Sequence, residues 1–458
     1  MTTMTKRALV GAGIALLVGA NGCKDFLTDP DAVRDPNRPS VATRNQLLAG
    51  IEAQLLDEQE GGVAMIVCQW MQQCAGIGGR FVEVQGHYAI SGSNFDLNFS
   101  GIYTGGGLVA LRAAQVIADA DQDAVYKGVL EVIEAMQIGW ATDIWGDIPY
   151  SDAAGANPTP RFDGQMAIYD ALQTLLDKAI ADLAGAGAGP GVADILYGGD
   201  KTKWTQLANT LKARFYLHTV EKLGVAQYPK VLAAATKGIS SSGNSLLAVH
   251  SSATSERNLW AQFQLTSFGN DLVAGKVLAD LMNADADPRR PEYFGRNPLG
   301  GFGGHDAVTN NTPATQISPI LGSGRTDNPV FGQPLVTWEE NQLILAEANF
   351  VTNGAAGAQP FLDAVRAKAA KQPRPATLQS IMEEKYIILF QNVEFWNDYK
   401  RNCHPRLKPA SASFTTVPGR LLYGTTEKQT NPDDPSVKAE GPLQSYRNAN
   451  DPAACPPS

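Results

Sequence analysis

Asp143 and Asp147 stand four residues apart in the stretch Asp143-Ile144-Trp145-Gly146-Asp147-Ile148-Pro149-Tyr150. On one helix face two such carboxylates could act as acid and base on a glycosidic bond. Gly146 and Pro149 argue against an unbroken helix there, because both are helix-stop residues. The competing reading is a helix end whose aspartates accept bonds from backbone amides in the turn. The five histidines, His87, His218, His250, His305 and His404, include no pair at helical metal-ligand spacing. No HExxH zinc motif or GxSxG nucleophile elbow occurs. Thr104-Gly105-Gly106-Gly107 lacks the lysine and the spacing of a phosphate-binding loop and reads as a plain turn.

The cysteines divide differently. Cys23 follows Lys6, Arg7 and the thirteen uncharged residues Ala8 to Ala20. That is the build of a secretory signal, a basic start and a short apolar run. Thirteen helical residues rise about 20 Å, short of a ~30 Å hydrocarbon core, so a permanent membrane span is not expected. Ala20-Asn21-Gly22 running into Cys23 resembles the bacterial lipoprotein signal, whose cleavage leaves a lipid-bearing cysteine; ordinary signal cleavage beside a chance cysteine is the alternative. Two or more acyl chains would anchor the chain stably. The four remaining cysteines, Cys68, Cys74, Cys403 and Cys455, form an even set in an exported protein. In one continuous helix Cys68 and Cys74 would lie about 9 Å apart along the axis, too far to bridge. A local disulfide between them requires the helix to end before Cys74; two buried thiols are the other reading.

These residues must be positioned by helices. Apolar residues recur at steps of three and four over Tyr126, Val129, Ile133, Met136, Trp140 and Ile144. They do so again over Met166, Tyr169, Leu172, Leu176, Ile180 and Leu183, over Trp204, Leu207, Leu211 and Phe215, and over Met382, Tyr386, Leu389, Val393 and Trp396. Shorter helices are expected at 44–60, 108–119, 227–238, 271–283, 337–351 and 360–370. Each stripe must bury its face against another helix. The first two stripes lie in 126–144 and 165–183, which begin 39 residues apart, near the pitch of helix–turn–helix repeats. Long loops are expected at 76–107, 145–164, 240–270, 288–334 and 402–458. Loops of that length in a compact domain are usually functional. The expected architecture is therefore all-α: a helical frame carrying loop-rich insertions, in one folded unit.

Composition supports this. The 458 residues are 44% apolar and 18% charged, enough for a large core and too few charges for disorder. Acidic residues number 46 against 37 basic ones, so wrapping of nucleic acid is not expected.

The stretch 143–151, Asp-Ile-Trp-Gly-Asp-Ile-Pro-Tyr-Ser, resembles a signature of the SusD/RagB family of outer-membrane nutrient-binding lipoproteins. Further similarities follow the family's order. They are Cys23-Lys24-Asp25-Phe26-Leu27, Asp287-Pro288-Arg289 before Tyr293-Phe294, and Ala346-Glu347-Ala348 within the Glu340–Ala348 helix. The helix pair Phe361–Arg366 and Ile381–Arg401, then Pro418-Gly419-Arg420-Leu421-Leu422-Tyr423, complete the set. Glu383-Glu384-Lys385 stands where the family often has Glu-Arg, and Gln391 to Trp396 replaces a common Glu-Gly-x-Arg run, so a buried Arg–Glu pairing of the relatives is expected to be altered. Phe99 stands where relatives often carry Trp.

The resemblance implies a tetratricopeptide-like helical fold and a binding protein rather than an enzyme. Residues 1–22 would be signal, 23–40 a lipidated tether on Cys23, and 41–458 one ligand-binding domain. The protein would sit on the outer membrane, facing the exterior. It would pass glycans or peptides to a SusC-like TonB-dependent transporter, with no cofactor or metal. Sugar rings lie on aromatic faces while polar side chains bond their hydroxyls. The loop residues suited to that are Arg80, Tyr88, Phe95, Asn98 and Phe99 in one stretch and Trp260, Gln262 and Phe263 in another. Trp140, Trp204 and Trp396 lie on core stripes, and Trp145 sits in the signature turn. A secreted all-α glycoside hydrolase using Asp143 and Asp147 is the alternative function; a purely structural surface lipoprotein is a third.

Overall fold

The structure is a computed structural model that describes residues 42–443. The expected signal segment, Cys23, the tether and Cys455 lie outside the described residues. Contacts divide the chain into Met1–Gln46 and Leu47–Ser458. In the first unit the described residues begin the helix Arg44–Glu60. There the Gln46 amide donates to Thr43 Oγ1 at 3.3 Å and the Thr43 amide donates to Gln46 Oε1 at 2.9 Å, a reciprocal cap that satisfies two orphan N–H groups.

The second unit is a run of helices, each packed on the next. Leu108–Ala120 lies against Ala124–Trp145, that helix against Gln165–Leu183 and Lys201–His218, and Lys201–His218 against Tyr228–Ala235. Tyr228–Ala235 packs on Trp338–Lys368, which meets Leu378–Ile388, and that meets Glu394–Asn402. This is the stacking of helix–turn–helix repeats, in which every unit buries its apolar face on its neighbour. Strand is confined, among the described residues, to three two-stranded antiparallel pieces. The all-α class expected from the sequence holds.

Local chemistry sets the helix ends. Asp123 accepts from the Tyr126 amide and Asp200 from the amides of Thr202 and Lys203, which are N-caps. Thr337 accepts from the Glu340 amide in the same way. Gly146, at φ 78°, stops Ala124–Trp145 where the sequence placed a stop. That helix is buried over nearly its whole length, not only along its apolar stripe. Its closeness to Lys201–His218 depends on Gly139, where a Cβ would run into the Phe215 ring.

One expected helix is corrected. The stripe from Met382 to Trp396 is not one helix. It breaks between Ile388 and Glu394, with Gln391 at φ 64°. The carbonyls freed there are taken by other side chains: Gln73 Nε2 donates to the carbonyls of Tyr386 (2.8 Å) and Leu389 (3.3 Å), and Gln333 Nε2 to that of Phe390 (3.1 Å). Long-range amides thus replace helical bonds that periodicity alone would predict. The helices expected at 337–351 and 360–370 are both present, within Trp338–Lys368 on either side of a break at the non-helical Gly354 (φ 72°). Helix Gly62–Trp70 had no counterpart among the expected elements, and the expected loop 76–107 contains the helix Asp96–Gly101.

The helix Gly62–Trp70 ends before Cys74, and the disulfide Cys68–Cys74 is formed, with Cα atoms 5.2 Å apart. Cys403 is also disulfide-bonded. Trp140, Trp145, Trp204 and Trp396 are buried, as their positions implied.

The segments that carry the family resemblance meet in two buried charge networks. Glu347 of Ala346-Glu347-Ala348 is paired by Arg401 at 2.7 Å and Lys385 at 3.3 Å, and Asp398 accepts from both cations at 2.5 and 2.9 Å. The pairing expected to change thus carries a lysine beside its arginine. Glu384 is met by Arg366 (2.6 Å), Lys371 (2.5 Å) and Arg289 (3.2 Å), the last also bound to Asp287 (2.6 Å). Charges this deep persist only when paired and hydrogen-bonded.

Candidate functional site

Strand Cys74–Gly76 pairs antiparallel with Leu272–Ala274, in the register Cys74↔Ala274, Ala75↔Val273 and Gly76↔Leu272. The pairing carries the chain after Gly76 alongside the chain before Leu272, and the Ile77 amide donates to the Asp271 carbonyl at 2.8 Å. The two segments build one exposed surface. The Arg80 guanidinium lies 5.0 Å from the Phe81 ring centroid and 5.9 Å from that of Phe268. Phe268 is 54% exposed, Leu265 69% and Ile77 43%. An exposed aromatic face beside a guanidinium is a pairing suited to contact with a ligand. Among the described residues Arg80 makes no ion pair, so its donors are available to a ligand.

Of the eight residues expected to bind ligand, Arg80 is on this surface. Phe263 supports it from beneath, its ring 5.3 Å from Phe81, and so joins the two stretches the sequence kept apart. Gln262, on the same short helix Leu259–Gln264, lines a separate cavity. Asn98 is half-buried on Asp96–Gly101.

Tyr88, Phe95, Phe99, Trp260 and Phe263 are corrected as stacking platforms, since all five are buried. Tyr88 packs edge-on to Trp70 and Phe414, and its hydroxyl accepts from the Ala410 amide at 3.0 Å. Phe99 is enclosed by Tyr103, Trp145, Phe162 and Tyr423. Trp260 has no exposed surface. A ring covered on all sides has no face to offer a sugar. The residue that sequence reasoning missed is Phe268. Its signal was an aromatic set in the short polar, Gly-containing run Thr266-Ser267-Phe268-Gly269-Asn270.

Asp143 and Asp147 do not form a catalytic pair. Asp143 is buried, accepts from the Tyr169 hydroxyl and pairs with His218 Nδ1 at 2.9 Å. Asp147 Oδ1 accepts from the Gln165 amide at 2.8 Å, so it fastens the start of the next helix and not, as expected, an amide of its own turn. Donor atoms of Asp143, His218 and Glu394 lie within 4.8 Å of one another, which is compact enough for a metal ion. The imidazole is already committed: Nδ1 faces Asp143 and Nε2 faces Glu394 at 2.8 Å. Burial lowers the His218 pKa, but the two carboxylates outweigh it and raise it to about 9. A doubly protonated ring has no lone pair for a metal. The donor set fits an ion cluster.

The chain belongs to the SusD-like family described as starch-binding and associating with outer membrane, whose model matches residues 36–424. Membership in a family defined by binding makes it a binding protein and not an enzyme. No curated protein matches the sequence. Among solved structures, a SusD/RagB family protein from Bacteroides thetaiotaomicron is similar at 22% identity and a TM-score of 0.70, over 87% of this chain and 96% of that one. A chitin-binding SusD homolog from Flavobacterium johnsoniae is similar at 19% identity and a TM-score of 0.70, over 88% of this chain and 98% of that one. A chitin-binding protein reaches a TM-score of 0.74 at 19% identity, over 89% of this chain and all of that one. At these identities the likeness establishes the fold. Among the described residues no helix is long and apolar enough to cross a membrane.

Proposed function

We propose that the protein is a lipoprotein of the outer-membrane surface that captures nutrient glycans and hands them to a SusC-like TonB-dependent transporter. Residues 1–22 are its signal, Cys23 its lipid attachment, 23–40 its tether and 41–458 its binding domain. The exposed Phe268 ring beside the Arg80 guanidinium is the observation that carries the reading. The Phe268 face accepts the C–H face of a sugar ring, and Arg80 donates to its hydroxyls. The family's description as starch-binding and the chitin-binding relatives support a glycan over a peptide.

Calorimetric titration with malto- and chito-oligosaccharides tests it. One of the two series is expected to bind, with Phe268→Ala costing about 1 kcal/mol and Arg80→Ala a comparable amount. Binding of neither series, or variants that bind as the parent does, would overturn the glycan reading; a panel of peptides then decides the ligand class. Mass spectrometry of the mature N-terminus and copurification with a β-barrel test the anchor and the partner.

A further inference from the structure

A cavity of about 480 Å³ opens between the helix Arg44–Glu60 and the chain from Val249 to Gln262. This falls within the usual range for small-molecule sites, about 300–1,000 Å³. Its walls are aliphatic: Ala53, Leu56, Ile195, Val249 and Leu259. Ile195 and Val249 expose large apolar side chains here, which a soluble surface leaves uncovered only at cost. No Phe, Tyr or Trp is among its lining residues, so it offers no platform to a sugar ring. The cavity is therefore a different kind of site from the Arg80–Phe268 surface.

Its polar side is asymmetric. Among the described residues Arg257 is in no ion pair, and its Nε makes one long bond, 3.4 Å, to the Ser252 carbonyl. The Gln262 side-chain amide donates to the Arg257 carbonyl at 2.7 Å and holds that backbone in place. The other charged groups are occupied or weakened. His250 is taken up by Glu60 at 3.0 Å, and Glu256 accepts from the Ser251 hydroxyl at 2.5 Å. Burial shifts Asp57 towards its neutral form. A guanidinium with free donors at the mouth of an aliphatic cavity matches a carboxylate on a hydrocarbon chain, since the planar fork accommodates both oxygens.

We propose that this cavity binds a medium-length aliphatic carboxylate, the chain on the aliphatic walls and the head group at Arg257. Calorimetric titration of the full chain with hexanoate, octanoate and decanoate, below their micellar concentrations, tests it. Saturable binding is expected, tightening about fourfold per added methylene. Arg257→Ala is expected to weaken decanoate at least tenfold, and Arg257→Lys to restore part of that. Decylamine is expected to bind at least tenfold more weakly than decanoate. Ala53→Trp fills the cavity from an exposed helical position and is expected to abolish binding; Val249→Trp does so from the opposite wall if the first variant does not fold. Absence of saturable binding, decylamine binding as tightly as decanoate, or undiminished binding by a folded Trp variant would each overturn the proposal. Phe268→Ala is expected to leave decanoate binding unchanged, so this proposal and the glycan reading succeed or fail separately.

Discussion

Arg401 grips the Glu347 carboxylate with two parallel bonds, Nη1 to Oε1 at 2.7 Å and Nη2 to Oε2 at 3.1 Å, and both residues are buried. The pair joins Trp338–Lys368 to Glu394–Asn402, and Lys385 ties Leu378–Ile388 into the same cluster. Three helices are therefore held in register by one set of charges. Removing one partner of a buried pair leaves an uncompensated charge and typically costs about 3–5 kcal/mol. Arg401→Met is expected to lower stability by that order in urea unfolding, with Lys385→Met close behind. An effect below about 1 kcal/mol for both would mean that packing alone sets the register.

His218 makes the fold sensitive to alkali. Its pKa is raised to about 9 in the folded chain, against about 6.5 when unfolded. A raised cation stabilises fully below the unfolded value and is lost as pH climbs through the folded one. About 3 kcal/mol should disappear between roughly pH 6.5 and pH 9. Melting temperatures measured from pH 6 to 10 should fall in that window, and His218→Gln should start lower and run flatter.

Glu52 responds to pH in the same direction, although here the fold holds the neutral form. Burial, then the hydrogen bond and charge of Asp194, raise it to about 9. An acid raised in this way favours folding most below its unfolded pKa and loses that advantage as pH rises towards the folded value. Glu52→Gln keeps a donor for Asp194 and an acceptor for the Ile195 amide, which now donates to Glu52 at 3.1 Å. The variant should match the parent at pH 4.5 and exceed it by roughly 3 kcal/mol at pH 7. Equal stability at pH 7 would place a carboxylate, not a carboxylic acid, at that position.

The Cys68–Cys74 bridge closes a short loop, so its loss is expected to cost only about 2 kcal/mol. Its larger effect is local. Cys74 is the first residue of the strand that pairs with Leu272–Ala274. The double variant Cys68→Ser, Cys74→Ser should weaken oligosaccharide binding more than it lowers the melting temperature. Faster amide exchange at Ala75 and Ile77 would report the loosened pairing.

Much of the frame could be read from the sequence. The stripes of Tyr126–Ile144, Met166–Leu183 and Trp204–Phe215 became Ala124–Trp145, Gln165–Leu183 and Lys201–His218 because a helical period sustained over several turns has few other solutions. The break after Ile388 was hidden, since it is held by Gln73 and Gln333, distant in sequence and placed only by the tertiary fold. The loop aromatics failed for a related reason. Tyr88, Phe95 and Trp260 lie in polar, Gly-rich stretches, yet each irregular segment still needs an apolar anchor to fasten it to the frame. An aromatic in a loop is as often that anchor as it is a platform, and of Tyr88, Phe95, Trp260 and Phe268 it is Phe268, 54% exposed, that keeps an open face.

The three-residue pairing of Cys74–Gly76 with Leu272–Ala274 brings Arg80 beside Phe268 from opposite halves of the chain. Neither half holds the recognition surface by itself, so affinity reports the integrity of the whole domain. On the proposed glycan reading, a sugar seated there would act as a clasp across the domain: saturating it is expected to raise the temperature at which the scaffold melts, in proportion to the logarithm of ligand concentration.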